Sequence, residues 1–361
     1  MENILRPFAE ITFKEELDAL KKQDNGSRPP SWHLSPESVV QYIMGGKAGK
    51  TSISPKYIGH RRLIEIAVAT LATDRALLLS GVPGTAKTWI SEHLSAAISG
   101  DSSLLIQGTA GIMEESIRYG WNYALLISKG PGIDALVPSP VMKAMEQGKM
   151  VRIEELSRIP SEVQDALITL LSEKMIPIPE LNTSVQAISG FNLIATANSR
   201  DKGIHEMSSA LRRRFNTVVM PLPATIEEEI NIIQFRVSGL SHLWATVSEQ
   251  KALHTIEQLV VIFRELRQGM SIDGQIKIKS PQSTLSTAEA ISVMINTLTL
   301  QSFFSADKEN PHDLAASMSG AILKDTEKDL PVWKEYLDKV MRKRPEYKKL
   351  YSACMDLIQQ Y

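Results

Sequence analysis

Residues Gly81-Val82-Pro83-Gly84-Thr85-Ala86-Lys87-Thr88 have the types and spacing of a phosphate-binding loop. They follow the apolar run Leu77-Leu78-Leu79, and a helix is predicted to leave at about Lys87. The pattern is G-x-x-x-x-G-K-[ST], with Ala86 where the second glycine is usual. In such a loop, successive backbone N–H groups and the helix N-terminus face an anion. Lys87 would meet the β- and γ-phosphates, and Thr88 would place its hydroxyl on Mg²⁺. A plain strand–turn–helix carrying a chance lysine is the competing reading, and the residues downstream decide between the two.

A second set of chemical groups follows. The stretch Lys149 to Leu156 reads as extended and ends in two adjacent carboxylates, Glu154 and Glu155. At the C-terminal edge of a parallel sheet these would lie opposite the phosphate loop, where open α/β sheets bind ligands. Glu154 would hold Mg²⁺ through water, and Glu155 would polarise an attacking water. The alternative is a pair of acidic residues capping the helix expected over Pro160 to Glu173. The run Phe191 to Asn198 reads as a buried strand that ends on a polar amide, and Asn198 can orient a lytic water or touch a γ-phosphate. In Leu211-Arg212-Arg213-Arg214-Phe215, three arginines precede an apolar strand, Thr217 to Met220. They form either a solvated helix end or a guanidinium for a neighbouring subunit's nucleotide.

These residues need a frame. Ser35-Pro36 reads as N-cap and first helical residue, with Gly45-Gly46 ending that helix. Arg61 to Leu71 is a helix leading into the first strand. The loop's own helix stops at Gly100 and turns Trp89, Ile90, His93, Leu94 and Ala97 inward, with His93 read as a packed core histidine. Leu104 to Ile106 is a second short strand. Residues 108–149 read either as a long surface excursion between core strands or as a functional insert, in which Tyr123 to Ser128 reads as a strand. Met175 to Ile178 and Ser184 to Ile188 read as a β-hairpin with a polar tip. From about Pro223 the chain is helical, including a helix opening near Lys279-Ser280-Pro281 and running to about Phe303. The basic cluster Lys339, Arg342, Lys343, Arg344, Lys348 and Lys349 reads as a solvated helical face. Residues 1–35 read as an appendage, with a charged helix over Lys14 to Lys22 and then a breaker-rich linker.

Composition narrows the class. The 361 residues suffice for two domains, and a 43% hydrophobic content is that of a globular chain. A formal net charge of −1 implies no global pull towards nucleic acid or anionic membrane. A single cysteine, Cys354, excludes an intrachain disulfide and a thiolate metal cluster, which suits a reducing cytoplasm. Met1 to Phe13 carries Glu2, Arg6 and Glu10 and is not read as a secretory signal. No apolar run approaches the ~20 residues of a membrane helix. The expectation is a soluble cytoplasmic protein with no membrane span.

With these motifs in order, the chain resembles an AAA+ ATPase, and more narrowly the MoxR-type branch. The likeness is carried by Gly81 to Thr88, Ile153-Glu154-Glu155-Leu156-Ser157-Arg158, Leu167 to Lys174, Ile194 to Asn198, Leu211 to Phe215 and Ser280-Pro281-Gln282. The resemblance implies a P-loop α/β core with a five-stranded parallel sheet over residues 51–222. It also implies a helical lid, assigned with the C-terminal helices to 223–361; residues 1–50, outside the likeness, are read as an N-terminal extension and linker. It implies a homo-oligomeric ring, commonly a hexamer, that binds ATP and Mg²⁺ between subunits. Lys87 and Thr88 would bind in cis, Glu155 would be catalytic base and Asn198 first sensor. Arg214 is first choice for the trans finger, with Arg213 second. Ile58 and Gly59, within Tyr57 to His60, occupy the place where the family touches adenine. Gln282 stands where the lid motif has an arginine, the second sensor, and Glu154 stands in place of aspartate. MoxR-type proteins are similar to chaperones that remodel or activate other complexes, often with a von Willebrand factor A partner. A nucleotide-gated assembly scaffold with little hydrolysis is one alternative. A DNA or RNA motor is a second, which the near-neutral charge disfavours.

Overall fold

A computed structural model describes residues 4–198, 205–239, 249–305 and 310–359. Two compact units divide the chain. One comprises Met1–Val82 with Ala86–Met220, and the other Pro83–Thr85 with Pro221–Tyr361.

The first unit is built on a parallel sheet of five strands. Its labelled elements run α1 (Lys14–Gln23), α2 (Pro36–Met44), α3 (Arg61–Leu71), β1 (Ala76–Gly81), α4 (Lys87–Ser99) and β2 (Leu105–Gln107). They continue with β3 (Tyr119–Trp121), α5 (Tyr123–Lys129), β4 (Leu136–Pro138), α6 (Pro140–Gln147), β5 (Met150–Glu154) and α7 (Ser161–Glu173). Last come β6 (Met175–Ile178), β7 (Thr183–Gln186), β8 (Asn192–Asn198) and β9 (Phe215–Val219). The spatial order is β9-β1-β8-β5-β2. Side-chain alternation along β1 explains the two-sided burial. Leu77 and Leu79 join Ile64, Ile90 and Leu94 in one core, while Ala76 and Leu78 join Ile153, Leu193 and Leu167 in the other.

Register aligns the chemistry. Asn198 pairs with Gly81, Ala195 with Ile153, and Gln107 with Glu154. The strand ends carrying the loop, the carboxylates and the amide therefore share one edge of the sheet.

Three expectations change here. The described part of residues 1–50 packs into the first unit instead of forming an extension. Leu20, Trp32 and Leu34 are buried in its core, Glu10 accepts from Ser102 at 2.7 Å, and Glu16 accepts from Lys56 at 2.5 Å. Charge pattern alone hid this, because the acids meet partners far along the chain. Second, Tyr123 to Ser128 is helical (α5), capped by the Asn122 side chain accepting from the Leu125 N–H. A short apolar run cannot be told from a strand by periodicity. Here Tyr123 is 70% and Ile127 86% exposed, while Leu125 and Leu126 are half-buried. Third, the helix expected from Lys279 begins later, at Thr287. Ser286 caps it and forms a reciprocal capping box with Glu289.

The second unit is all helical apart from one isolated bridge among its described residues. It contains α8 (Ile226–Ser238), α9 (Glu249–Gln268), α10 (Thr287–Phe303), α11 (Pro311–Ile322), α12 (Thr326–Lys339) and α13 (Lys348–Ile358). Phe263, Leu259, Met294, Leu298 and Trp333 centre its core. Two buried carboxylates tie the helices. Glu229 takes two hydrogen bonds from Arg267, at 3.2 and 2.8 Å, and Glu265 takes two from Arg344, at 3.2 and 2.6 Å, with Tyr336 adding one at 2.6 Å. Arg344 is therefore a structural cation, and not part of a wholly solvated basic face. No helix among the described residues is long and apolar enough to cross a membrane.

A candidate nucleotide site at the sheet edge

The loop after β1 turns on residues in unusual backbone conformations. Gly84 has φ 79°, and Ala86 has φ 62° and ψ 18°. Both lie in the left-handed region, which glycine enters freely and alanine enters at a cost of about 1–2 kcal/mol. Ala86 thus takes a conformation that a glycine at this position would enter freely. Lys87 begins α4 and is buried. Its Nζ donates to the loop's own carbonyls, Gly81 O at 3.1 Å and Val82 O at 2.7 Å. The ammonium is thereby folded over the loop that a phosphate would fill.

Across the sheet edge, Glu154 ends β5 with its carboxylate 2% exposed. Burial of an ion demands partners, and Glu154 has several. Oε2 accepts from Thr88 Oγ1 at 2.8 Å and from Thr196 Oγ1 at 2.7 Å, and Oε1 accepts from the Ser91 hydroxyl. Thr88 and Glu154 therefore meet directly. Hydroxyl and carboxylate oxygens are the ligand chemistry of Mg²⁺, which keeps several waters and takes few protein groups.

Glu155 faces elsewhere. It takes φ 54° and ψ 47°, a left-handed conformation for a non-glycine residue. Strain of this kind persists where the surroundings impose it. The imposition is visible: the Glu155 N–H donates to Thr196 Oγ1 at 3.0 Å, and Gly108 N–H donates to Glu154 O at 2.7 Å. A side chain at Gly108 would collide with the Glu154 and Glu155 carbonyls. The Glu155 carboxylate, one-third exposed, pairs with Arg158 at 2.9 Å.

The structure gathers Lys87, Thr88, Glu154 and Glu155 at one edge, and register sets Asn198 level with Gly81. It does not bring Arg213 and Arg214 there. Phe215 pairs with Ala76, at the opposite end of β1. At a rise of 3.2–3.4 Å per residue, that is about 16 Å from the start of the phosphate loop. Arg214 donates to Ser172 Oγ and Ala210 O, each at 2.9 Å, whereas Arg213 is exposed. Ile58 and Gly59 lie just before α3, where the Lys56 and Tyr57 N–H groups both donate to Ile43 O. Gln282 belongs to the second unit. Its side chain is exposed, and its N–H donates at 2.9 Å to buried Asp329. His93 is a core residue, bonded through Nδ1 to the Tyr42 hydroxyl at 2.8 Å. Sequence reasoning missed Ser91, Thr196 and Gly108. Only the first offers a local signal, three residues beyond Thr88 on the same helix face.

Comparison with known proteins settles the family. Residues 76–215 match the AAA domain of the dynein-related subfamily, and residues 227–357 match the YehL-like AAA+ ATPase C-terminal domain. The uncharacterized protein YehL of Escherichia coli (strain K12) is 39% identical over 360 residues, covering 97% of both chains. The chain belongs to the YehL-like AAA+ ATPases. An uncharacterized protein of Staphylococcus aureus (strain NCTC 8325 / PS 47) is 26% identical over 233 residues, 63% of this chain and 82% of that one. The Thermotoga maritima RuvB Holliday junction branch migration motor is similar at 16% identity and a TM-score of 0.45, over 83% of this chain and 88% of that one. That likeness is too distant to bear on activity. Within the YehL-like family, the AAA match begins at β1 and ends at Phe215, so it contains the phosphate loop, both carboxylates, Asn198 and the arginines.

Proposed function

We propose that this chain hydrolyses ATP with Mg²⁺ and uses the turnover to remodel or activate a protein complex, as a MoxR-type, chaperone-like ring. The observation that carries this reading is the meeting of Thr88 with Glu154 beside a separately directed Glu155. Thr88 and Glu154 would hold the metal, which neutralises phosphate charge when bound, and Lys87 would leave its loop carbonyls for the phosphates. Glu155 would take a proton from water as the water oxygen bonds to the γ-phosphorus and the bond to the bridging oxygen breaks. To do so it must leave Arg158. An exposed pair of this kind is worth about 0–1 kcal/mol, so the release costs little.

The arginines support assembly. At about 16 Å from the loop by strand rise, Arg213 and Arg214 cannot serve their own subunit's phosphates, and a ring would bring them to the next subunit's. We assign the ring as hexameric, the compartment as the cytoplasm, and the partner as a protein with a von Willebrand factor A domain. Adenine would lie against Ile58 and Gly59. The exposed, neutral Gln282 favours a second reading, a nucleotide-gated scaffold with slow hydrolysis.

The decisive measurement is ATP turnover together with mass in solution, with and without ATP, for wild type and Glu155→Gln. The variant is expected to keep ATP binding and to lose at least ~100-fold in turnover, the scale of a general base. Equal turnover in both proteins would sink the mechanism. ATP-dependent assembly without turnover in wild type would select the scaffold.

A further inference from the structure

Beside the metal-site carboxylate lies a cation that the proposed reaction does not use. Arg152 stands two residues before Glu154 on β5, so the two share a face of the strand. Every other residue of β5 before Glu154 is apolar. The Arg152 side chain is only 3% exposed. Its Nη1 lies 3.7 Å from Glu154 Oε1, 3.9 Å from Glu92 Oε2 and 3.5 Å from Ser91 Oγ. Glu92, also buried, meets Arg6 at 3.2 Å from the N-terminal segment. Burial pushes the Arg152 pKa down, and Glu154 and Glu92 act against that shift. A buried guanidinium is costly unless paired, and Glu154 and Glu92 are the acids beside this one.

The geometry of Glu154 suggests a role for this arginine. Its two oxygens have different neighbours: Oε1 faces Ser91 and Arg152, and Oε2 faces Thr88 and Thr196. Glutamate has one more rotatable bond than the aspartate usual here, and it needs more restraint to present one oxygen reproducibly. We propose that Arg152 is a positioning residue, which with Ser91 anchors Oε1 so that Oε2 is held against Thr88 for the metal. Glutamate at 154 and arginine at 152 then form one device. This rests on the reading that Glu154 serves the metal.

Binding of a non-hydrolysable ATP analogue, followed by calorimetry across a Mg²⁺ titration, tests it without turnover. Arg152→Met is expected to raise the Mg²⁺ concentration for half-maximal tightening by about tenfold, the scale for losing an outer partner of a metal ligand, with metal-free binding within about twofold. Glu154→Asp is expected to do the same, because the shorter side chain cannot span both anchors. The double variant is expected to be no worse than either single one, as coupled residues behave. A folded Arg152→Met with the wild-type Mg²⁺ midpoint, or single effects that multiply, would overturn the proposal. Should Arg152→Met fail to fold, Arg152→Lys keeps the charge but shortens the reach of the one nitrogen, Nη1, that meets Ser91, Glu92 and Glu154. A raised midpoint then supports the proposal, and an unchanged one overturns it. Glu154→Gln separates the two levels: an unchanged midpoint there removes Glu154 from the metal, and the underlying reading with it.

Discussion

The hydroxyl of Thr196 donates to Glu154 at 2.7 Å while accepting the Glu155 N–H at 3.0 Å. One side chain thus sets the direction of the first carboxylate and the backbone twist that aims the second elsewhere. Thr196→Val keeps the shape and removes the hydroxyl. It leaves the Glu155 N–H without this acceptor and takes one donor from a buried carboxylate. A loss of about 1–3 kcal/mol in denaturant unfolding is expected, together with slower ATP turnover, and Thr196→Ser is expected to restore both. Wild-type stability in the valine variant would show that the tie is dispensable.

Ala86 gives a prediction of the opposite sign. Its φ of 62° is strained for alanine. Ala86→Gly relieves about 1–2 kcal/mol of strain, and the freer unfolded chain takes back about 0.4–1 kcal/mol. The variant should be slightly more stable than wild type by urea denaturation, and Ala86→Val less stable. A glycine variant that melts earlier would mean the loop does not hold this conformation.

Arg213 and Arg214 can be separated by two readouts. Arg214 is bonded to Ser172 and Ala210, so Arg214→Ala is expected to lower stability, and the exposed Arg213 is not. Whichever supplies the finger should lose about 10³-fold or more in turnover while retaining ATP binding. A trans role further requires that mixing the inactive variant with a Lys87→Ala subunit restores some activity. No recovery in any mixture would argue against a shared site.

Lys56 should shape the alkaline stability profile. Its Nζ is enclosed by the Phe13 and Tyr42 rings, at 4.3 and 4.4 Å, and burial lowers its pKa to about 8, against the opposing pull of Glu16. Between about pH 8 and lysine's ordinary value, the unfolded chain holds a proton that the folded protein has released. Stability contributed by this group therefore rises with pH across that window. Urea melts at pH 7.5 and pH 10 should show wild type gaining relative to Lys56→Met, and a constant difference would refute the shift.

How much of this was legible beforehand differs by residue. The phosphate loop, the adjacent carboxylates and Asn198 were readable because each needs a fixed local spacing at a strand end, and such spacing is written in the chain. The β6–β7 hairpin and α3 were readable for the same reason, since both follow from short-range periodicity. The docking of α1 was not, because Glu16 and Lys56 are distant in sequence and a charged helix reads as solvated. Nor was the turn of α5, which leaves Tyr123 and Ile127 exposed against the usual rule.

By itself, the sequence determined which groups stand at the strand ends and the order of the elements that carry them. Tertiary structure alone decided which groups touch. The 5-stranded parallel register set Thr88 against Glu154 and left Arg213 at the far end of the sheet. Burial then turned Arg152, a cation in an otherwise apolar strand, into a neighbour of the Glu154 carboxylate. The physical reason is range. Turns, caps and periodicity act over a few residues, whereas hydrogen bonds and ion pairs join whatever the packed sheet brings within about 4 Å.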